Sequence, residues 1–223
     1  MTSPANKRET YGLGLSRLVL PSFAPPDSTG PFIVALEGPN GAGKSTLARV
    51  LQFPHCLGTD DAWFAEPLKV RMIRDAEWFA SAMFFMSGCF EQMRALRTRR
   101  DKLIVMDRSL WSTLAVHGAD SPERLELLLA MLRPVAGQIR VPQLTLVLEA
   151  SITTCQSRIG KKTGTARVLD ELTANAAFHA REQEFYRWLS RQRSEVRLLD
   201  VDQASPEAVA LQAHNLIGQH APC

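Results

Sequence analysis

A continuous apolar run at residues 32–36 leads directly into Glu37-Gly38-Pro39-Asn40-Gly41-Ala42-Gly43-Lys44-Ser45-Thr46, and this junction constrains the chain more than any other feature. The stretch from Gly38 to Ser45 satisfies G-x-x-x-x-G-K-[ST] in full. A run that is apolar on both faces suits a central strand of a parallel sheet. The glycines let the backbone curl so that successive N–H groups face inward onto phosphate oxygens. A helix beginning near Lys44 and continuing through Leu47, Val50 and Leu51 turns its positive end on the same oxygens. Strand, glycine turn and helix together predict a site for ATP on Gly38, Asn40, Gly41, Ala42, Gly43, Lys44, Ser45 and Thr46. Lys44 would reach the β- and γ-phosphates, and Ser45 would hold Mg²⁺.

The rest of the chain repeats the strand–helix alternation. Further buried strands are predicted at 103–106, ending at Asp107, and at 144–148, ending at Glu149; a weaker one covers 196–199 and ends at Asp200. Helical patterns cover 78–99, 122–132, 174–191 and 206–217. The expected fold class is α/β: a three-layer P-loop NTPase-type fold with a central parallel sheet and a small lid segment. Residues 1–30, rich in Pro, Ser, Thr and Gly, read as an N-terminal tail or strap, and 31–223 as a single P-loop domain.

Composition narrows the partners. The 26 basic and 23 acidic residues leave a formal charge of +3, too balanced for a protein that wraps nucleic acid. The expected partner is a small-molecule substrate, nucleotide or nucleoside, with no nucleic acid polymer and no membrane; a homodimer is compatible with the sequence. No apolar run reaches the length of a membrane span, and Leu18-Val19-Leu20, followed by Pro21, is too short for a signal core. The four cysteines form no C-x-x-C pair, so they imply neither a zinc site nor a redox motif. A reducing, cytoplasmic setting is the expectation. A GTPase would need N-K-x-D, and the only Asn-Lys pair, Asn6-Lys7, precedes the phosphate loop and continues Arg8-Glu9.

Asp107 and Arg108 fall at the carboxyl end of a predicted strand, the edge where open parallel sheets bind ligands. An Asp there can serve a metal's water shell, which makes Ser45 and Asp107 the expected metal residues, or it can act on a substrate hydroxyl. Arg108 can clamp phosphate in a bidentate manner.

These blocks resemble the thymidylate kinase family, with the deoxynucleoside kinases close behind. The phosphate loop is similar to that family's E-G-x-D-G-x-G-K-[ST]-T. Asp107-Arg108-Ser109-Leu110-Trp111-Ser112-Thr113-Leu114-Ala115 is similar to its D-R-[aromatic]-x-x-S-x-x-A. Pro142-Gln143-Leu144-Thr145-Leu146-Val147-Leu148 is similar to its P-D-L-T-x-x-L strand, and Phe178-His179-Ala180-Arg181 with Tyr186 to its F-x-x-R-x-x-x-x-Y helix. The resemblance covers about residues 31–220. It implies a magnesium- and ATP-dependent kinase with Lys44, Asp107 and Arg108 as catalytic residues, acting on a dTMP-like nucleoside monophosphate. It also implies Phe85 as the ring on which the acceptor base stacks, core packing being the other reading of that residue. A lid at about 157–170 would carry Arg158, Lys161, Lys162 and Arg167, whose charges would neutralise a loose phosphoryl transition state.

The departures from that pattern concern the acceptor. The phosphate-loop Asp is Asn40, the Arg before the Glu-Pro block is Ala65, and the Arg after the stacking ring aligns with Cys89. Each charge-assisted bond lost to a dianion is worth about 1.5–3 kcal/mol. Arg71, five residues after Glu66, could supply a replacement. The alternative is a nucleoside or other small hydroxyl compound as acceptor, with Glu66 of Glu66-Pro67 as the base, since a hydroxyl needs a positioned carboxylate and no second arginine. A P-loop regulatory protein that binds ATP without transferring its phosphate is a further alternative.

Overall fold

The computed structural model describes residues 14–24, 30–57, 66–161 and 175–221, excluding the side chain of Glu66. Five parallel strands form one sheet in the order β2-β3-β1-β4-β5. They are β1 (Phe32–Glu37), β2 (His55–Leu57), β3 (Leu103–Asp107), β4 (Leu144–Glu149) and β5 (Val196–Asp200). β3, β1 and β4 occupy the centre, as their two-sided apolar character requires. Register pairs Leu36 with Asp107 and Val34 with Leu144, so β1 and β3 end side by side.

Alternation along the strands divides the core. Ile33, Ala35, Ile104 and Met106 pack together with Leu96 near the end of α3 (Trp78–Leu96). Leu36, Leu146 and Leu148 face the other way, onto α1 (Lys44–Leu51) and α8 (Pro206–His220). The largest cluster gathers Trp111 and Leu114 of α4 (Leu110–Gly118), Leu125 and Leu128 of α5 (Pro122–Leu132), and Phe185 and Trp188 of α7 (Ala176–Gln192). Helices therefore cover both faces, giving three layers. The remaining helices are α2 (Glu66–Arg74) and α6 (Ile152–Gly160).

Helix starts follow local chemistry. Ser109, Ser121, Ser151, Asn175 and Ser205 each cap a helix through a side-chain oxygen, and Pro122 and Pro206 stand in first turns where a missing N–H costs nothing. Residues 14–24 lie against the largest cluster: Leu15 is buried, and Phe23 meets Trp111 edge-on at 5.4 Å. No helix among the described residues is long and apolar enough to cross a membrane.

Candidate active site

The phosphate loop fills the turn between β1 and α1. Gly38, Gly41 and Gly43 take φ of 118°, 84° and 106°, a region that side chains rarely adopt. Close approach adds a second requirement: a Cβ on Gly38 would collide with the carbonyl of Leu148, and one on Gly41 would lie 2.5 Å from the carbonyl of Cys155. Among the described residues, the N–H groups of Gly43, Lys44, Ser45 and Thr46 meet no acceptor. Open amides at a helix start make an anion cradle. Gly41→Ala is expected to cost about 1–3 kcal/mol from the backbone conformation alone, read as a lowered urea midpoint; an unchanged midpoint would contradict this account of the loop.

Three charged side chains, Lys44, Asp107 and Arg108, converge at the ends of β1 and β3. Lys44 is buried, and its ammonium donates to Gly38 O at 2.7 Å and Pro39 O at 2.9 Å. Burial, with Arg108 adding to it, pushes its pKa down to about 8, against the pull of Asp107, Glu182 and Glu37. Ser45 Oγ donates to Asp107 Oδ2 at 2.7 Å. Arg108 has φ 74°, left-handed without being glycine. Its guanidinium donates through Nη1 to Ser112 Oγ at 3.1 Å and through Nη2 to Asn40 Oδ1.

Behind them sits a carboxylate that sequence reasoning missed as a site residue. Glu37 is fully buried and accepts from Ser109 Oγ at 2.5 Å, from Ser112 Oγ, and from Tyr186 Oη at 2.9 Å. Burial raises its carboxyl above the usual range, while these hydroxyls and Arg108 act the other way. Ser112 thus touches both Glu37 and Arg108, joining α4 to the phosphate loop. Glu182 of α7 is also buried, its carboxyl raised by burial and opposed by Arg108 and Lys44.

Phe85 and Cys89 lie where α3 meets α4. Phe85 is half-buried and stacks on the His117 imidazole, with centroids 5.6 Å apart and planes 22° apart. Burial pushes His117 down to about 4, so that imidazole is neutral at pH 7. Cys89 is buried against Thr113 Oγ1 at 3.5 Å, and burial pushes its thiol up to about 12. Arg71 is exposed on α2, and Glu66 opens that helix.

Beyond α1, a cleft of about 240 Å³ adjoins the phosphate loop, lined by Thr46, Leu47, Arg158, Val201, Pro206 and Val209 among others. Arg158 Nη1 donates to Ala42 O at 2.9 Å, and Nη2 to Val201 O at 3.1 Å. This corrects the expected lid boundary: residues 157–160 form the last turn of α6, held by the Ser151 cap at one end and by Arg158 on the loop carbonyls at the other. Lys161 follows the helix and is exposed, whereas Lys162 and Arg167 lie outside the described residues.

No family model matches the chain, and no curated protein does. Solved structures do match. A thymidylate kinase from Candida albicans, described as having broad substrate specificity, superposes with a TM-score of 0.67 at 21% identity, over 86% of this chain and 93% of that one. A deoxyadenosine kinase from M. mycoides with bound dATP gives a TM-score of 0.62 at 15% identity, over 83% and 99%. The same enzyme with dCMP and dCDP bound gives 0.63 at 15% identity, over 84% and 99%. The chain has the fold of the thymidylate and deoxynucleoside kinases. In this kinase fold, Lys44, Ser45, Asp107 and Arg108 meet at one mouth, joined to Asn40 and Glu37. Phe85 and Cys89 lie along α3 at its contact with α4.

Proposed function

We propose that this chain is a kinase that passes the γ-phosphate of ATP to a pyrimidine-like nucleoside monophosphate. The observation that carries the reading is the Ser45–Asp107 pair beside Lys44 and Arg108, at the end of a loop with open amides. The two oxygen donors, a hydroxyl and a carboxylate, suit Mg²⁺, which keeps several waters and is completed by substrate phosphates. When bound, the ion would draw charge off the β- and γ-oxygens. The loop amides would seat the phosphates, and Lys44 would leave the Gly38 and Pro39 carbonyls for them. Arg108 would hold the incoming phosphate, since phosphoryl transfer is mainly a matter of position and charge. The fold likeness to a thymidylate kinase supports this choice of acceptor.

The cleft beside Thr46 would take the donor base, with Arg158 fixing its wall. Arg158→Ala is therefore expected to raise the KM for ATP about tenfold with a smaller effect on kcat; an unchanged KM would remove the cleft from the donor site. ADP release across nucleoside monophosphates and nucleosides tests the whole reading, and silence with every one of them would refute it.

One observation favours a hydroxyl acceptor. Where the resemblance expects an arginine, the chain places a neutral buried thiol, Cys89. That arrangement suits a nucleoside with Glu66 as base, in keeping with the fold likeness to a deoxyadenosine kinase.

A further inference from the structure

Arg108 is tied to the last two residues of β1 through both its backbone and its side chain. Its backbone N–H donates to Leu36 O at 3.0 Å, from the left-handed φ of 74°. Its side chain reaches Glu37 through one hydroxyl: Nη1 donates to Ser112 Oγ at 3.1 Å, and Ser112 Oγ donates to Glu37 Oε2. Donor chemistry fixes the direction of this chain. A guanidinium can only donate, so Ser112 accepts from it, and the single hydroxyl hydrogen is left for the carboxylate. Glu37 is fully buried, and its other contacts are also hydroxyls: Ser109 Oγ on Oε1 at 2.5 Å and Tyr186 Oη on Oε2 at 2.9 Å. Ser109 in turn caps α4 by accepting from Trp111 N. The carboxylate therefore holds the start of α4 at both Ser109 and Ser112, and Tyr186 ties it to α7. Nη2 of Arg108 donates to Asn40 Oδ1 in the phosphate loop, and the other N–H groups of the fork meet no acceptor among the described residues.

We propose that Glu37 is a positioning residue for Arg108: it holds the Ser112 hydroxyl so that its lone pair fixes the guanidinium and leaves the unspent N–H groups for a substrate phosphate. This rests on the kinase reading above. An ionised carboxylate only accepts, so it draws the hydrogens of all its hydroxyl partners inward and turns the Ser112 lone pairs toward Arg108. Ser112→Ala cuts the link between Arg108 and Glu37 outright. Glu37→Gln keeps the shape but puts an NH₂ where an acceptor stood, so the hydroxyl hydrogens lose their common direction.

The test compares the wild type, Glu37→Gln, Ser112→Ala and Tyr186→Phe, each alone and combined with Arg108→Ala, by ADP release with the best acceptor. Glu37→Gln and Ser112→Ala should each lower kcat/KM for the acceptor by about ten- to a hundredfold, the scale of a misplaced reacting group, with the KM for ATP little changed. In the Arg108→Ala background neither should lower it further, because groups that act through one path are non-additive. Tyr186→Phe loses a hydrogen bond to the same carboxylate but leaves the chain from Arg108 to Glu37 whole. It should lower the melting temperature while costing the acceptor step several-fold less than Ser112→Ala. Wild-type kcat/KM in Glu37→Gln or Ser112→Ala would overturn the proposal. So would losses that add to that of Arg108→Ala, or a Tyr186→Phe loss as large as that of Ser112→Ala, since Glu37 would then only hold the helices together. Should Glu37→Gln fail to fold, Ser112→Ala with and without Arg108→Ala decides. Melting temperatures give a readout independent of turnover. Glu37→Gln and Arg108→Met should shift them non-additively, and the coupling should vanish once Ser112→Ala is added to both. Additive shifts, or coupling that survives Ser112→Ala, would overturn the link even if the chain proves to be a kinase. Absence of ADP release with Ser112-dependent coupling would reject the kinase reading alone.

Discussion

Replacing Lys44 with Met should lower kcat by about 10²–10³-fold, the usual loss for one preorganised charge on a developing anion, with little loss of stability. The ammonium is buried and, among the described residues, donates to carbonyls of its own loop, and burial opposes its charge. The pH dependence has a definite sign. Lys44 titrates near 8 in the folded chain, below the ordinary 10.5. Between those values the unfolded chain binds more protons, so stability rises with pH through that window. It is lost again as pH falls through about 8. The Lys44→Met protein should lack this rise, and saturating Mg·ATP should suppress it in the wild type by favouring the ammonium. Urea midpoints at pH 7 and 10 measure it. Full turnover in the variant would remove Lys44 from the site, and an identical rise in both proteins would assign the titration elsewhere.

Where the fold was legible, the signal was local. The strands at 32–36, 103–106 and 144–148 are apolar on both faces because helices cover both faces. β2 left no such trace: it is a three-residue edge strand whose His55 and Leu57 are exposed. α4 was missed for the opposite reason, since it is buried nearly all round and shows no apolar stripe. The basic residues after Arg158 drew the lid boundary into α6, although Ser151 marks a helix start. The phosphate loop could be read because its chemistry is backbone geometry written in adjacent glycines. The Glu37 hub could not: its partners lie 72 residues away at Ser109 and 149 away at Tyr186. Glu182 carried no signal either, sitting among Arg181, Gln183 and Glu184 like any solvated helix charge.

Arg108→Ala and Glu66→Gln, assayed on the best acceptor, should separate the two acceptor chemistries. An arginine on a transferring phosphoryl group is worth about 10³-fold or more in rate. With a monophosphate acceptor, Arg108→Ala should raise the acceptor KM steeply and lower kcat/KM by about that factor, while Glu66→Gln changes it only a few-fold. With a hydroxyl acceptor the order reverses: Glu66→Gln removes the proton acceptor, and kcat falls by about 10²–10⁴-fold. Arg108→Lys sharpens the result. Lysine keeps the charge but cannot donate to Ser112 and Asn40 through a planar fork, so it should recover little. Backbone strain is not a confounder here, because Ala and Lys meet the same left-handed φ of 74° that Arg108 already accepts. If neither Arg108→Ala nor Glu66→Gln lowers kcat/KM by more than a few-fold, both acceptor schemes fail, and the phosphate loop serves some other acceptor.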